Sequence, residues 1–164
     1  MSKKKEKKTS PAQTTQFEIF EAQSFDLKAL VQLFDRYRQF YKQKSDIQAA
    51  KTFLAERIKL KDSVIYLAFD EDSNAIGFTQ LYPLFSSVSM KKTWLLNDLF
   101  VEKSCRAKGV SKLLIESAKQ LARDSKSKGL MLETEKTNSI GLKLYPSAGF
   151  ELTEGSNFYF WKCD

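Results

Sequence analysis

Thr93-Trp94-Leu95-Leu96-Asn97-Asp98-Leu99-Phe100-Val101, then Glu102-Lys103-Ser104-Cys105-Arg106-Ala107-Lys108-Gly109-Val110-Ser111, then the amphipathic run from Lys112 to Ala122, reads as a strand, a turn and a helix. Leu95, Leu96, Leu99, Phe100 and Val101 are too densely apolar for a strand with one wet face. Both faces are therefore expected to be covered, which makes this a central strand. Gly109 lets the backbone turn sharply, and the helix behind it aims its free N–H groups at the turn. Arg106 and Lys108 stand beside those donors, a combination suited to an anion and above all to a phosphate. An ordinary strand-to-helix turn with a solvated Arg and Lys explains these residues equally well.

The 164 residues are enough for one domain with a core and too few for two ordinary ones. Hydrophobic content of 42% and charged content of 29% are those of a soluble globular chain. Nothing approaches a membrane-spanning length, and the Lys-rich start has no apolar stretch behind it, so it is not a secretory signal. A cytoplasmic protein without membrane contacts is expected. Lys3, Lys4, Lys5, Lys7 and Lys8 against Glu6 account for +4 of the net charge of +7, leaving +3 for the rest. Residues 1–15 therefore read as a disordered Lys-rich tail and 16–164 as the domain, with nucleic acid an unfavoured partner. The chain has no histidine, which removes Ser-His-Asp and Cys-His chemistry, His-ligated zinc and imidazole as a base. Cys105 and Cys163 are far apart and lack metal-ligand spacing, so neither a disulfide framework nor a metal site is expected.

Working outward, Phe17 to Phe20 alternates as a strand, and Asp26 and Asp46 stand as N-caps of two helices. Tyr37, Phe40 and Tyr41 crowd the junction of those helices; Phe40 reads as core, whereas Tyr37 and Tyr41 suit the wall of a small-molecule pocket. Ser63–Phe69 and Ala75–Tyr82 form a hairpin that Pro83 ends. Leu130–Thr134 is a short buried strand beside the Trp94 strand, and Asn138 offers a cap for a last helix. Phe150–Leu152 and Phe158–Trp161 read as a closing hairpin. Three antiparallel strands followed by strand, helix, strand and helix make an α/β fold with a mixed sheet.

The turn from Arg106 to Ser111 resembles the Arg/Gln-x-x-Gly-x-Gly/Ala turn with which GNAT-family N-acetyltransferases hold the pyrophosphate of coenzyme A, with Ser111 in place of the usual Gly or Ala. Asn138-Ser-Ile-Gly141-Leu-Lys-Leu144-Tyr145-Pro-Ser-Ala-Gly149-Phe150 resembles that family's second signature, with Gly141 in place of the usual Ala, a change that costs helix propensity but not space. The two occur in the family's order with a strand between them, and the resemblance spans about Gln16 to Trp161. The stretches around Tyr66, Phe78 and Trp94 look most like the family's small-amine branch of diamine and polyamine, Hpa-type enzymes.

The resemblance implies a GNAT fold: a central mixed, mostly antiparallel sheet of about seven strands, about four helices and a splayed coenzyme A cleft. It implies acetyl-CoA as cosubstrate and no metal. The backbone of Leu99, Phe100 and Val101 would lie along the pantetheine and thioester. Arg106, Ala107, Lys108, Gly109, Val110, Ser111 and Lys112 would take the pyrophosphate, and Asn138 the pantetheine region. Tyr145 matches the general acid for the leaving thiolate, a role that suits a phenol of pKa about 10. Asn97 stands where related polyamine enzymes have Glu, which leaves Asp98 as the candidate base, with Glu133 as a second carboxylate. Strand alternation would place Asn97 and Asp98 on opposite faces. Tyr37, Tyr41, Tyr82, Asn97 and Glu133 are the expected acceptor-side residues. The expected reaction is direct attack by a primary amine of a diamine, polyamine or amino acid on acetyl-CoA. A protein lysine or N-terminus as acceptor, and a non-catalytic coenzyme A-binding module, are the alternatives. The apolar FYFWK segment suggests a homodimer edge, although a buried intramolecular strand explains it as well.

Overall fold

The computed structural model describes residues 16–155 and 157–163; the Lys-rich tail lies outside them. Five strands form one sheet in the order β1-β2-β3-β4-β5: β1 (Glu18–Glu21), β2 (Val64–Phe69), β3 (Ala75–Ser86), β4 (Lys91–Val101) and β5 (Leu130–Met131). The first four pair antiparallel in succession, and β5 pairs parallel to β4. Helices α1 (Leu27–Phe40) and α2 (Ile47–Leu60) precede β2, α3 (Val110–Asp124) connects β4 to β5, and α4 (Gly141–Ser147) follows β5. The mixed sheet with four helices agrees with the expected class.

The core lies on both faces of the sheet. Leu30, Val31, Leu33 and Phe34 of α1 and Leu54 of α2 pack on Leu67, Phe78 and Phe100. Val110, Leu114, Ile115 and Ala118 of α3 cover Val101, Leu81, Trp94 and Leu96 on the other side. Covering on both faces is what the dense apolar run in β4 required. Asp46 caps α2 by accepting from Ala49 N at 2.9 Å. Asp26 instead reaches back to Gln23 N, also at 2.9 Å, and leaves the first turn of α1 uncapped.

Three expectations are corrected. The described residues contain five strands rather than about seven, because Phe150–Leu152 and Phe158–Trp161, expected as a closing hairpin, form no strand pairing. Pro83 does not end β3: the strand runs on to Ser86, with Pro83 opposite Trp94. Pairing with β2 ends at Val64, opposite Leu81, so from Tyr82 onward β3 is an edge strand, where a missing N–H costs no ladder bond. The third concerns β4. Gln80 pairs with Asp98 and Leu81 with Leu96, leaving Asn97 as a bulge. A bulge inserts one residue and flips the alternation beyond it. Trp94 and Leu96 therefore face α3, whereas Phe100 faces α1 and Val101 returns to α3. Asn97 and Asp98 do not part company as simple alternation requires: Asn97 Nδ2 donates to Asp98 Oδ2 at 3.0 Å.

Candidate active site

The β4 and β5 strands pair only at Trp94–Leu130 and Leu95–Met131, while β4 continues to Val101. Beyond Leu96 the β4 edge facing β5 has no strand partner among the described residues. A cavity of about 870 Å³ opens there, walled by the end of α1, the outer half of β4, the turn into α3, the segment after β5 and α4.

The turn behaves as its glycine foretold. Gly109 has φ +92° and Ala107 φ +60°, the left-handed region, and no side chain caps α3. Among the described residues, the N–H groups from Ala107 to Ser111 find no acceptor. Such unpaired donors at a helix start form an anion site. Arg106 does not extend into it: Nε donates to Val101 O at 2.9 Å and the guanidinium lies over the rings of Phe40 and Phe100. Phe40 is thus a cavity wall, 61% exposed, rather than the core residue expected of an aromatic at the helix junction.

On the opposite wall, Asn138 ties the segment after β5 to α4. Its Nδ2 donates to Thr134 Oγ1 at 2.9 Å and its Oδ1 accepts from Gly141 N at 3.0 Å, the cap expected there. Gly141 matters for space as well as propensity, contrary to expectation: a Cβ would stand 2.7 Å from Asn138 Nδ2 and 3.0 Å from the Tyr145 ring. Tyr145 packs edge-on against Phe150, with ring centroids 5.9 Å apart. Burial, with Tyr41 adding to it, raises its phenol pKa and keeps it protonated.

Tyr37 and Tyr41 meet edge to face at 5.1 Å above the β4 bulge. Asp98 is only 6% exposed. Burial raises its pKa, opposed by the hydrogen bond from Asn97 and by the nearby Tyr37 hydroxyl. Tyr37 is in turn pushed well above the usual phenol range by burial and by Asp98.

Of the residues expected to form the site, Tyr37, Tyr41, Asn97, Leu99, Phe100 and Val101 line this cavity. So do Arg106, Ala107, Gly109, Val110, Ser111, Lys112, Glu133, Asn138 and Tyr145. Lys108 and Tyr82 do not line it, and Asp98 lies behind it, reached through Tyr37 and Asn97. Tyr82, on β3, has a pKa raised to about 12 by burial and Asp98. The sequence reading missed Thr134, whose hydroxyl fixes Asn138; its proximity to β5 was the available signal. Among the described residues there is no cluster able to hold a metal ion, and no helix is long and apolar enough to cross a membrane.

This geometry matches known proteins. An uncharacterised N-acetyltransferase of Bacillus subtilis, YhfO, is 45% identical over 141 residues, covering 86% of this chain and 94% of that protein. The crystal structure of a probable acetyltransferase superposes with a TM-score of 0.86 at 37% identity, over 90% of this chain and 98% of that one. A streptothricin acetyltransferase of Escherichia coli is 36% identical over 89 residues, 51% of this chain and 50% of that protein. These likenesses do not single out the diamine and polyamine, Hpa-type branch. Residues 27–150 match the acetyltransferase (GNAT) family, and the chain belongs to that family of acetyl-CoA-dependent N-acetyltransferases.

Proposed function

We propose that the chain transfers acetyl from acetyl-CoA to a primary amine of a small molecule, a diamine, polyamine or amino acid, by direct attack. The observation that carries this reading is a cavity lined by the rings of Tyr37, Phe40, Tyr41 and Tyr145 and by Glu133, with Asp98 behind it. Aromatic walls and carboxylates together select a compact cation, as an ammonium acceptor is before it loses its proton. The partial likeness to an enzyme named for streptothricin, a small-molecule acceptor, agrees with it.

The residues present fit acetyl-CoA. The unpaired N–H groups from Ala107 to Ser111 would hold its pyrophosphate, and a Cβ at Gly109 would meet nothing within 4 Å. The open edge of β4 at Leu99, Phe100 and Val101 offers backbone groups to the pantetheine and to the carbonyl oxygen as it gains charge. The cosubstrate supplies the activated acetyl group as a thioester. Asp98, whose raised pKa makes it a better base than an exposed carboxylate, takes the proton of the acceptor ammonium, with Tyr37 beside it at the cavity wall. Tyr145 gives its proton to the departing thiolate. Neither cysteine takes part, because no base stands by to activate one.

Thiol release from acetyl-CoA across a panel of diamines, polyamines, amino acids and a histone-tail peptide tests the acceptor. Turnover on small amines well above that on the peptide is the expected result. Turnover on the peptide alone would replace the small-amine reading with a protein acceptor.

A further inference from the structure

Arg106 stands in the turn that the sequence resemblance gives to the pyrophosphate, yet its guanidinium lies elsewhere. It covers the rings of Phe40 and Phe100, 5.5 Å and 5.8 Å from their centroids, while Nε donates to Val101 O at 2.9 Å. Phe40 ends α1 and belongs to none of the apolar clusters on the sheet. Its ring meets Tyr41 edge to face at 5.3 Å, and Tyr41 meets Tyr37 at 5.1 Å. The guanidinium is the far end of a line of contacts that runs into the aromatic wall of the cavity.

A second contact runs beside the first. Arg36, one turn before Phe40 on α1, pairs with Glu102, four residues before Arg106. Residues four apart on a helix share a face, so α1 meets the segment after β4 at two points on one side. Glu102 is itself fixed to the sheet, its N–H donating to Ile76 O at 2.8 Å. Tyr37 rests on the rings of Phe78 and Phe100. Phe40 and Tyr41 are exposed and, among the described residues, have no ring of the sheet beneath them.

We propose that Arg106 is a positioning residue for the acceptor rather than a phosphate ligand. It holds Phe40, and through Phe40 the Tyr41 ring, in place as the acceptor wall, with the Arg36–Glu102 pair as the second fastening. The inference rests on the acceptor reading of that wall under Proposed function. The unpaired backbone N–H groups of the turn serve the anion without this side chain. A planar guanidinium stacks on two rings while its Nε stays hydrogen-bonded, which an ammonium does not reproduce. Lysine here would keep a charge near the coenzyme and lose the brace.

Arg106→Lys therefore separates the two roles. The acceptor KM should rise about tenfold, the worth of one partly desolvated cation–π contact, with kcat falling by less and the acetyl-CoA Kd by calorimetry within about twofold of wild type. Phe40→Leu should raise the same KM, and the double variant no further, because both changes cut one line of contacts. Amide exchange of the free chain needs no acceptor: residues 37–43 should exchange faster in Arg106→Lys while those of α3 keep their protection. KM is read on whichever acceptor turns over, so a peptide acceptor would replace the small-amine reading and leave this one standing. An unchanged acceptor KM, a weakened acetyl-CoA Kd or additive effects in the double variant would overturn the proposal. Should no acceptor turn over, the exchange alone decides, and unchanged exchange at 37–43 overturns it.

Discussion

Asp35 on α1 and Asp98 at the β4 bulge are almost equally hidden, 3% and 6% exposed, yet the two regions treat a buried carboxylate in opposite ways. Burial alone would raise the pKa of both. Around Asp35 that is outweighed by Asp46 N at 2.8 Å, Ser45 Oγ and Gln39 Nε2 at 2.7 Å each, and the Arg38 guanidinium at 3.9 Å, so its pKa falls. Asp98 has Asn97 and the Tyr37 hydroxyl and no ion pair among the described residues, so burial prevails and its pKa rises. The α1–α2 connection uses a carboxylate to hold two helices together. The bulge keeps one short of partners, so that burial sets its pKa.

The largest effect expected from this contrast is on activity. Asp98→Asn should lower kcat/KM by about 10²–10⁴-fold, the usual worth of a proton-transfer group, without lowering the melting temperature. A variant of full activity would break the contrast by leaving Asp98 with a structural role. Asp35→Ala should do the reverse. It removes three hydrogen bonds to a buried carboxylate and should cost about 2 kcal/mol in urea unfolding, with kcat unchanged at temperatures well below the melt.

The pH dependence sharpens the same point. The stabilisation from Asp35 is fully present above its unfolded pKa of about 3.9 and is lost as pH falls through its lower folded value. Asp98 has the opposite sign. Charging it in the fold is unfavourable, so the gain from Asp98→Asn should be absent in acid, grow as pH rises past about 3.9 and level off above its raised folded value. Denaturation of both variants against wild type from pH 3 to 7 reads the two slopes, and parallel slopes would refute the assignment.

Gly141→Ala should have the smallest effect on stability. Helix propensity favours Ala by about 1 kcal/mol, but the added Cβ must push aside an Asn138 amide that is hydrogen-bonded at both ends. The expected outcome is little net change in melting and a fall in kcat of about tenfold as the Tyr145 ring is displaced. A variant that gains the full helix increment at unchanged kcat would show that Asn138 is free to move.

Much of this was legible before the structure. The dense apolar run in β4, Gly109 and the capping residues Asp46 and Asn138 each announce a local constraint that acts within a few residues, and each element formed accordingly. The departures arise from distant partners. The bulge at Asn97 depends on how β3 pairs with β4, and the continuation of β3 through Pro83 depends on where β2 stops. Phe40 has the aromatic character of a core residue, but at the end of α1 it meets the Arg106 guanidinium at the cavity wall. The aromatic run from Phe158 to Trp161 has the composition of a strand, yet pairs with none among the described residues.

The central claim is that Tyr145 delivers a proton to the departing thiolate within this cavity. With the best acceptor in hand, kcat for thiol release should be measured for wild type and Tyr145→Phe, together with the acetyl-CoA Kd by calorimetry. The account requires kcat to fall by about 10²-fold or more at an unchanged Kd. Equal kcat in the two proteins would contradict it.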